Sequence, residues 1–154
     1  MSSIAALTGR EIELISRFIA VLKEEQDTLM RGEIAGLPES AAEKLQLAEQ
    51  LNALETRRNE LLGTTNDNGG RIAMERWLGE HPEEAALSAD WKKLLELARQ
   101  AKQLHQLNSR LVSMHLQQKN ELLSALIQQP PQPLLYSSNG QSATATGSRI
   151  VDSA

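Results

Sequence analysis

A helical pattern that runs unbroken from about Asp90 to Gln129 constrains this chain more than any other feature. Trp91, Leu94, Ala98, Ala101, His105, Asn108, Val112, His115, Lys119, Leu122 and Leu126 succeed one another mostly at steps of three and four. Leu97, Ala101, Leu104, Asn108, Leu111, His115 and Leu122 form a second seam beside the first. Such steps put side chains on one face of a helix. Both seams begin apolar, take in Asn108, His115 and Lys119, and return to leucine. A helix of roughly 40 residues is about 60 Å long at 1.5 Å per residue. That exceeds the width of a small domain, so part of the stripe is expected to lack an intrachain partner. An uncovered apolar stripe implies a binding surface, not a reaction centre.

The rest of the chain points to the same class. For 154 residues one domain is the expectation. There are 25 leucines against one Phe, one Tyr and two Trp. Leu and Ala favour helix, and the residue types that favour strands are scarce. The class read from this is all-α: an antiparallel bundle of three long helices and one short one.

Charge is unevenly spread. Residues 10–60 carry 7 basic and 11 acidic side chains, residues 61–90 carry 2 and 6, and residues 91–121 carry 6 and 2. The long last helix is therefore basic and the earlier ones acidic. Helices of opposite charge packing on each other account for this, and so does a basic helix offered to an acidic partner. A net charge of −4 argues against nucleic acid as the main partner. There is no cysteine, hence no disulfide or thiol chemistry. No apolar run approaches the 18 or so residues of a membrane span. The start, MSSIAALTGREIEL, has no basic segment ahead of an apolar core, so no secretory signal is expected.

Local signals divide the chain. Thr8 and Glu11 fit a capping box, with Leu7 placed to staple onto Ile12, so the first helix is expected to start at Thr8. Ile12, Ile15, Phe18, Ile19, Leu22 and Leu29 are its buried stripe. Gly32 and Gly36 weaken its end. The second helix is expected over Pro38–Leu62, with Pro38 at its first position and Gly63 as its C-terminal cap. Leu47, Leu51, Leu54, Leu61 and Leu62 form its stripe. The run GTTNDNGG at 63–70 reads as a loop. A short helix follows over Arg71–Glu80, carrying Ile72, Met74, Trp77 and Leu78, with Pro82 beyond its end. Ser88 or Asp90 is placed to cap the long helix. Pro130, Pro131 and Pro133 open a Ser/Thr/Gly/Asn-rich segment, in which Leu134, Leu135 and Tyr136 are an apolar triplet. This composition predicts a disordered tail over 130–154, after a helical domain over 1–129.

Catalytic constellations are not found. His105 and His115 are ten residues apart, too far for one helix to bring both to a metal, and His81 is placed to serve the end of the short helix. NDNGGR lacks the Gly-Lys-Ser/Thr ending of a phosphate-binding loop. Glu24 with Glu25, and Glu83 with Glu84, diverge by about 100° on a helix and make no acid/base pair. No catalytic residue, metal site or cofactor is assigned. Asn108 and His115, polar on apolar seams, either set register or meet polar groups of a partner.

Taken together, this layout resembles the FlgN family of bacterial flagellar export chaperones. Leu104-His105-Gln106-Leu107-Asn108-Ser109-Arg110-Leu111-Val112 is similar to the family's Leu-x-x-Leu-Asn stretch, although Ser109-Arg110-Leu111 stands where many members carry a second Asn. Tyr136-Ser137-Ser138-Asn139-Gly140 resembles the Tyr-x-x-x-Gly signature of the family's tail, although many members place Gly directly after the Tyr. The resemblance implies a cytoplasmic chaperone without nucleotide or metal. It would bind helical C-terminal regions of hook–filament junction proteins, keep them unpolymerised, and deliver them to the flagellar export gate, with the export ATPase complex as a further partner. The family associates its last helix with cargo and its tail with the export machinery. Asn108, Leu111, Val112, Met114, His115, Leu122 and Leu126 are accordingly the expected cargo-binding residues, and Tyr136 and Gly140 the gate-docking ones.

Helix lengths agree with this from physical grounds. Two helices of about 36 Å, packed antiparallel on one of about 60 Å, leave about 16 of its residues uncovered. With the bundle closed at Trp91, these lie near Leu111–Ile127. The alternative is a self-associating helical scaffold that buries the same strip in a dimer.

Overall fold

A computed structural model describes residues 2–64 and 69–128. These form four helices in chain order: α1 (Ser2–Met30), α2 (Leu37–Leu62), α3 (Gly69–Glu80) and α4 (Ala85–Ile127). No strand occurs among the described residues. Residues 129–154 lie outside them, and with them the expectations for the tail, Tyr136 and Gly140. The chain divides into two units, Met1–Val112 and Ser113–Ala154, with the boundary inside α4.

In the first unit, α1 and α2 make a close antiparallel hairpin. Glu11 pairs with Arg58, and Glu25 with Lys44, so rising numbers on one helix meet falling numbers on the other. On α4, Trp91 lies over Arg58, while Asn108 bonds Leu22 and Glu25. Rising numbers on α1 thus meet rising numbers on α4. The long helix runs parallel to α1 and antiparallel to α2, so only one of the two helices expected to oppose it does so. Up-down-up order follows because α2 returns the chain to the starting end and the short α3 keeps it there.

The α1 core positions make a strict heptad seam. Ile4, Thr8, Glu11, Ile15, Leu22, Glu25 and Leu29 are all buried, and Phe18 is half-buried between them. Ile4, Ile15, Ile19 and Leu22 pack with Met74 of α3 and with Leu87, Trp91, Leu94 and Ala101 of α4. Leu14 and Val21, one heptad apart, pack with Leu47 on the α2 side. Burying one such leucine is worth about 1.5–3 kcal/mol before ordering costs. Leu61 and Leu45 of α2 remain exposed, as does Ile72 of α3.

Two helix starts differ from expectation. α1 begins at Ser2, so Thr8 is six residues inside it. The Thr8 hydroxyl donates to the Ile4 carbonyl one turn back, at 2.8 Å, instead of capping the helix. Glu11, the other half of the expected box, is held by Arg58 of α2. A Thr-x-x-Glu spacing cannot distinguish these uses. Likewise α4 begins at Ala85, which puts Ser88 and Asp90 inside its first two turns. The remaining boundaries follow the sequence closely. Pro38 sits in the first turn of α2, and Gly63 closes it at φ 74°, its N–H donating to the Glu60 carbonyl. α3 closes on His81, whose Nδ1 donates to the Trp77 carbonyl at 2.7 Å while the two rings stack 3.9 Å apart.

Candidate functional site

Within the first unit, the seam of α1 carries two acids at buried positions, fourteen residues apart. Each is met by a base from α2, and the two bases, Lys44 and Arg58, are also fourteen residues apart. The layer around Glu25 contains Lys44 Nζ at 2.8 Å and the Asn108 amide. Asn108 is 2 % exposed. Its Nδ2 donates to the Leu22 carbonyl and to Glu25 Oε1, both at 2.9 Å. The layer around Glu11 contains the Arg58 guanidinium, bound through Nη1 to both carboxylate oxygens, and the Trp91 ring 4.9 Å from the guanidinium carbon. Burial is the largest influence on Glu11 and raises its carboxyl above 4.5. The Arg58 hydrogen bond and charge oppose that rise, and Glu55 adds to it.

Both layers therefore draw an acid from α1, a base from α2 and a third group from α4. A polar group at a seam position fixes register, because any slip would bury it without its partner. The Asn108 Nδ2 is engaged inside the bundle against α1, while its Oδ1, also buried, has no partner among the described residues. Leu111 and Val112, the next expected cargo residues, are half-buried. Sequence reasoning missed Glu11, Glu25, Lys44 and Arg58 as a set. The signal was present: two acids on the α1 seam and two bases on α2, at the same spacing.

The second unit, taken by itself, presents the last four turns of α4. From Ser113 to Gln128 every residue is exposed except His115, which is half-buried. Met114, Leu116, Leu122, Leu123, Leu126 and Ile127 are large apolar side chains left in contact with solvent, Leu122 at 61 % and Ile127 at 68 %. At about 100° per residue, Leu116, Leu122, Leu123, Leu126 and Ile127 share an arc of about 140°. Met114 falls outside that arc. Soluble proteins seldom leave a contiguous apolar stripe uncovered, and such stripes mark interaction sites. Among the described residues no cluster of His, Cys, Asp or Glu has the makings of a metal site, and no helix is long and apolar enough to cross a membrane.

The first unit is a register-locked helical bundle, and the second leaves an apolar stripe bare on the last turns of α4, a pairing of features typical of helical binding proteins. Over residues 1–144 the chain matches the family described as FlgN protein. It belongs to the FlgN family, a family of flagellar chaperones and not of enzymes. No curated protein and no solved structure matches it.

Proposed function

We infer that this chain chaperones hook–filament junction proteins in the cytoplasm, binding their helical C-terminal regions on the apolar arc of α4. The observation that carries this reading is the run of exposed leucines and isoleucine from Leu116 to Ile127. An amphipathic cargo helix laid along the arc is helix-in-groove recognition, read through anchors at helical spacing. Three or four buried leucines, at about 1.5–3 kcal/mol each, are enough for micromolar binding, near 8 kcal/mol, once ordering costs are met. Covering the cargo's own apolar face in this way keeps it from polymerising early. Leu111, Val112 and His115 are assigned to the same cargo, and Met114 flanks the arc with an adaptable thioether. Tyr136 and Gly140 are assigned to docking at the export gate, with the export ATPase complex as a further contact. Residues 1–129 then act as the cargo-binding domain and residues 130–154 as the delivery segment.

Calorimetric titration of the full chain and of residues 1–129 with a junction protein tests this division. Equal affinity for the two is expected, with export impaired only for the shorter one. Loss of affinity on truncation would contradict it.

A further inference from the structure

The Glu11 layer leaves two hydrogen-bond donors over. Arg58 Nε–H and Trp91 Nε1–H are both buried, and neither has an acceptor among the described residues. Both side chains line a cleft of about 180 Å³ between α1, α2 and α4, whose apolar wall is Ile15, Leu51, Leu94 and Leu95, and both also border a wider cleft toward Gly70 and Arg71. Folded proteins leave few buried donors without an acceptor, and two beside one cleft call for an explanation.

The chemistry of the guanidinium narrows what is missing. Glu11 takes Nη1. The opposite edge, formed by Nε and Nη2, presents two parallel N–H groups. The nearest acid on that edge is Glu55, 4.0 Å from Nη2 and beyond hydrogen-bonding distance. Two parallel N–H groups match the two oxygens of a carboxylate. Glu11 and Glu55 are the two acids of the lining, and Glu11 is already paired with Arg58. Arg71 and Arg99 are matched by Glu75 and Glu96, while Lys92 and Lys102, on the α4 surface beside Leu95, have no carboxylate partner among the described residues.

We propose that this cleft is a carboxylate-binding site, in which the ligand seats side-on against Nε and Nη2 of Arg58 and accepts a third hydrogen bond from Trp91 Nε1–H. Leu51 and Leu94 enclose its carbon stem. Glu55, with its side chain about half exposed at 51 %, is the rim group that swings aside on entry. A cleft of this size takes a single side chain or a small free acid. It lies wholly in the first unit and involves none of the residues assigned to cargo.

The test follows the indole and guanidinium N–H resonances of the isotope-labelled full chain while sodium acetate is titrated against sodium chloride at matched ionic strength. Acetate is expected to move the Trp91 Nε1–H and Arg58 Nε–H signals saturably and to leave Trp77 in place. Glu55→Ala, which removes the competing rim acid, should tighten binding at least threefold. Trp91→Phe should weaken it at least fivefold, read at Arg58, with helicity unchanged. Equal responses to acetate and chloride would overturn the proposal. So would a long-lived water at the Trp91 donor that acetate does not displace. A shift of the same resonances on Asp67→Ala in acetate-free buffer would also overturn it, by giving the acceptor to the chain itself. A peptide with one Glu between leucines separates the two sources of the ligand. Binding at least tenfold tighter than acetate, lost with Gln for Glu, identifies a partner's side chain, and affinity equal to acetate identifies a free acid.

Discussion

Asn108 and Glu25 lie 83 positions apart and meet in the core, where one amide nitrogen bonds both the Glu25 carboxylate and the Leu22 carbonyl at 2.9 Å. This contact ties the start of the chain to its last helix and sets their register. Asn108→Ala removes both bonds and leaves a buried carboxylate with Lys44 alone. A hydrogen bond to a charged group is worth about 1.5–3 kcal/mol, so a loss of about that size is expected in urea denaturation. Cargo affinity of the folded fraction should stay within about twofold, since this amide faces inward. A large loss of affinity at unchanged stability would place Asn108 on the cargo surface.

Removing one member of the Glu11–Arg58 pair leaves the other charged and buried. Arg58→Met alone should cost about 3–5 kcal/mol. Glu11→Leu combined with Arg58→Met should recover most of that, because a well-packed apolar pair replaces an ion pair at little cost. A thermodynamic cycle over the two sites measures this. Additive losses would show that the two side chains do not depend on each other.

The same pair gives a pH dependence of definite sign. Burial holds the folded-state pKa of Glu11 above 4.5, so the folded protein binds this proton more tightly than the unfolded chain. The contribution favours folding below 4.5 and is withdrawn as pH rises through the elevated pKa. Subtracting the stability of Glu11→Gln from that of the parent chain, at each pH between about 4 and 8, should therefore give a difference that falls as pH rises and then levels off. A difference that grows with pH would mean that Arg58 outweighs burial.

Gly70 has a spatial reason to be glycine. A Cβ built there would lie 2.7 Å from Asn59 Oδ1 and 2.9 Å from its Nδ2, both on a buried side chain. Gly70→Ala should cost about 1–3 kcal/mol by forcing α3 off α2. Earlier amide exchange in Arg71–Leu78 than in α1 would report it. Uniform exchange across both helices would show that Asn59 yields without moving α3.

The helices were legible in the sequence where periodicity and a glycine or proline agreed, as at Pro38 and Gly63. His81, at the end of a short amphipathic run ahead of Pro82, was legible for the same reason, whereas its stack on Trp77 was not. Caps were less so, because Thr8 and Glu11 satisfy a capping spacing whether they cap or face a distant partner. The polar layers need tertiary information: nothing local ties Glu11 to Arg58 across 47 positions, or Asn108 to Glu25 across 83. The exposed arc was legible because it needs only one helix and a count of what can cover it.

The arc can be removed without touching the core. Leu122→Ser with Leu126→Ser alters two exposed positions, so stability should change by less than about 0.5 kcal/mol per site. Cargo affinity should fall at least tenfold, about 1.4 kcal/mol or more. A stability loss without a loss of affinity would place these leucines in a packed interface instead.

Size-exclusion chromatography with light scattering, on the chain alone and mixed with a hook–filament junction protein of the same organism, tests the central claim most directly. An arc that serves cargo requires a monomer that forms a discrete complex with the junction protein, and a Leu122→Ser, Leu126→Ser variant that stays monomeric and forms none. A stable dimer that ignores the junction protein, and that the same two substitutions split, would assign the arc to self-association and contradict it.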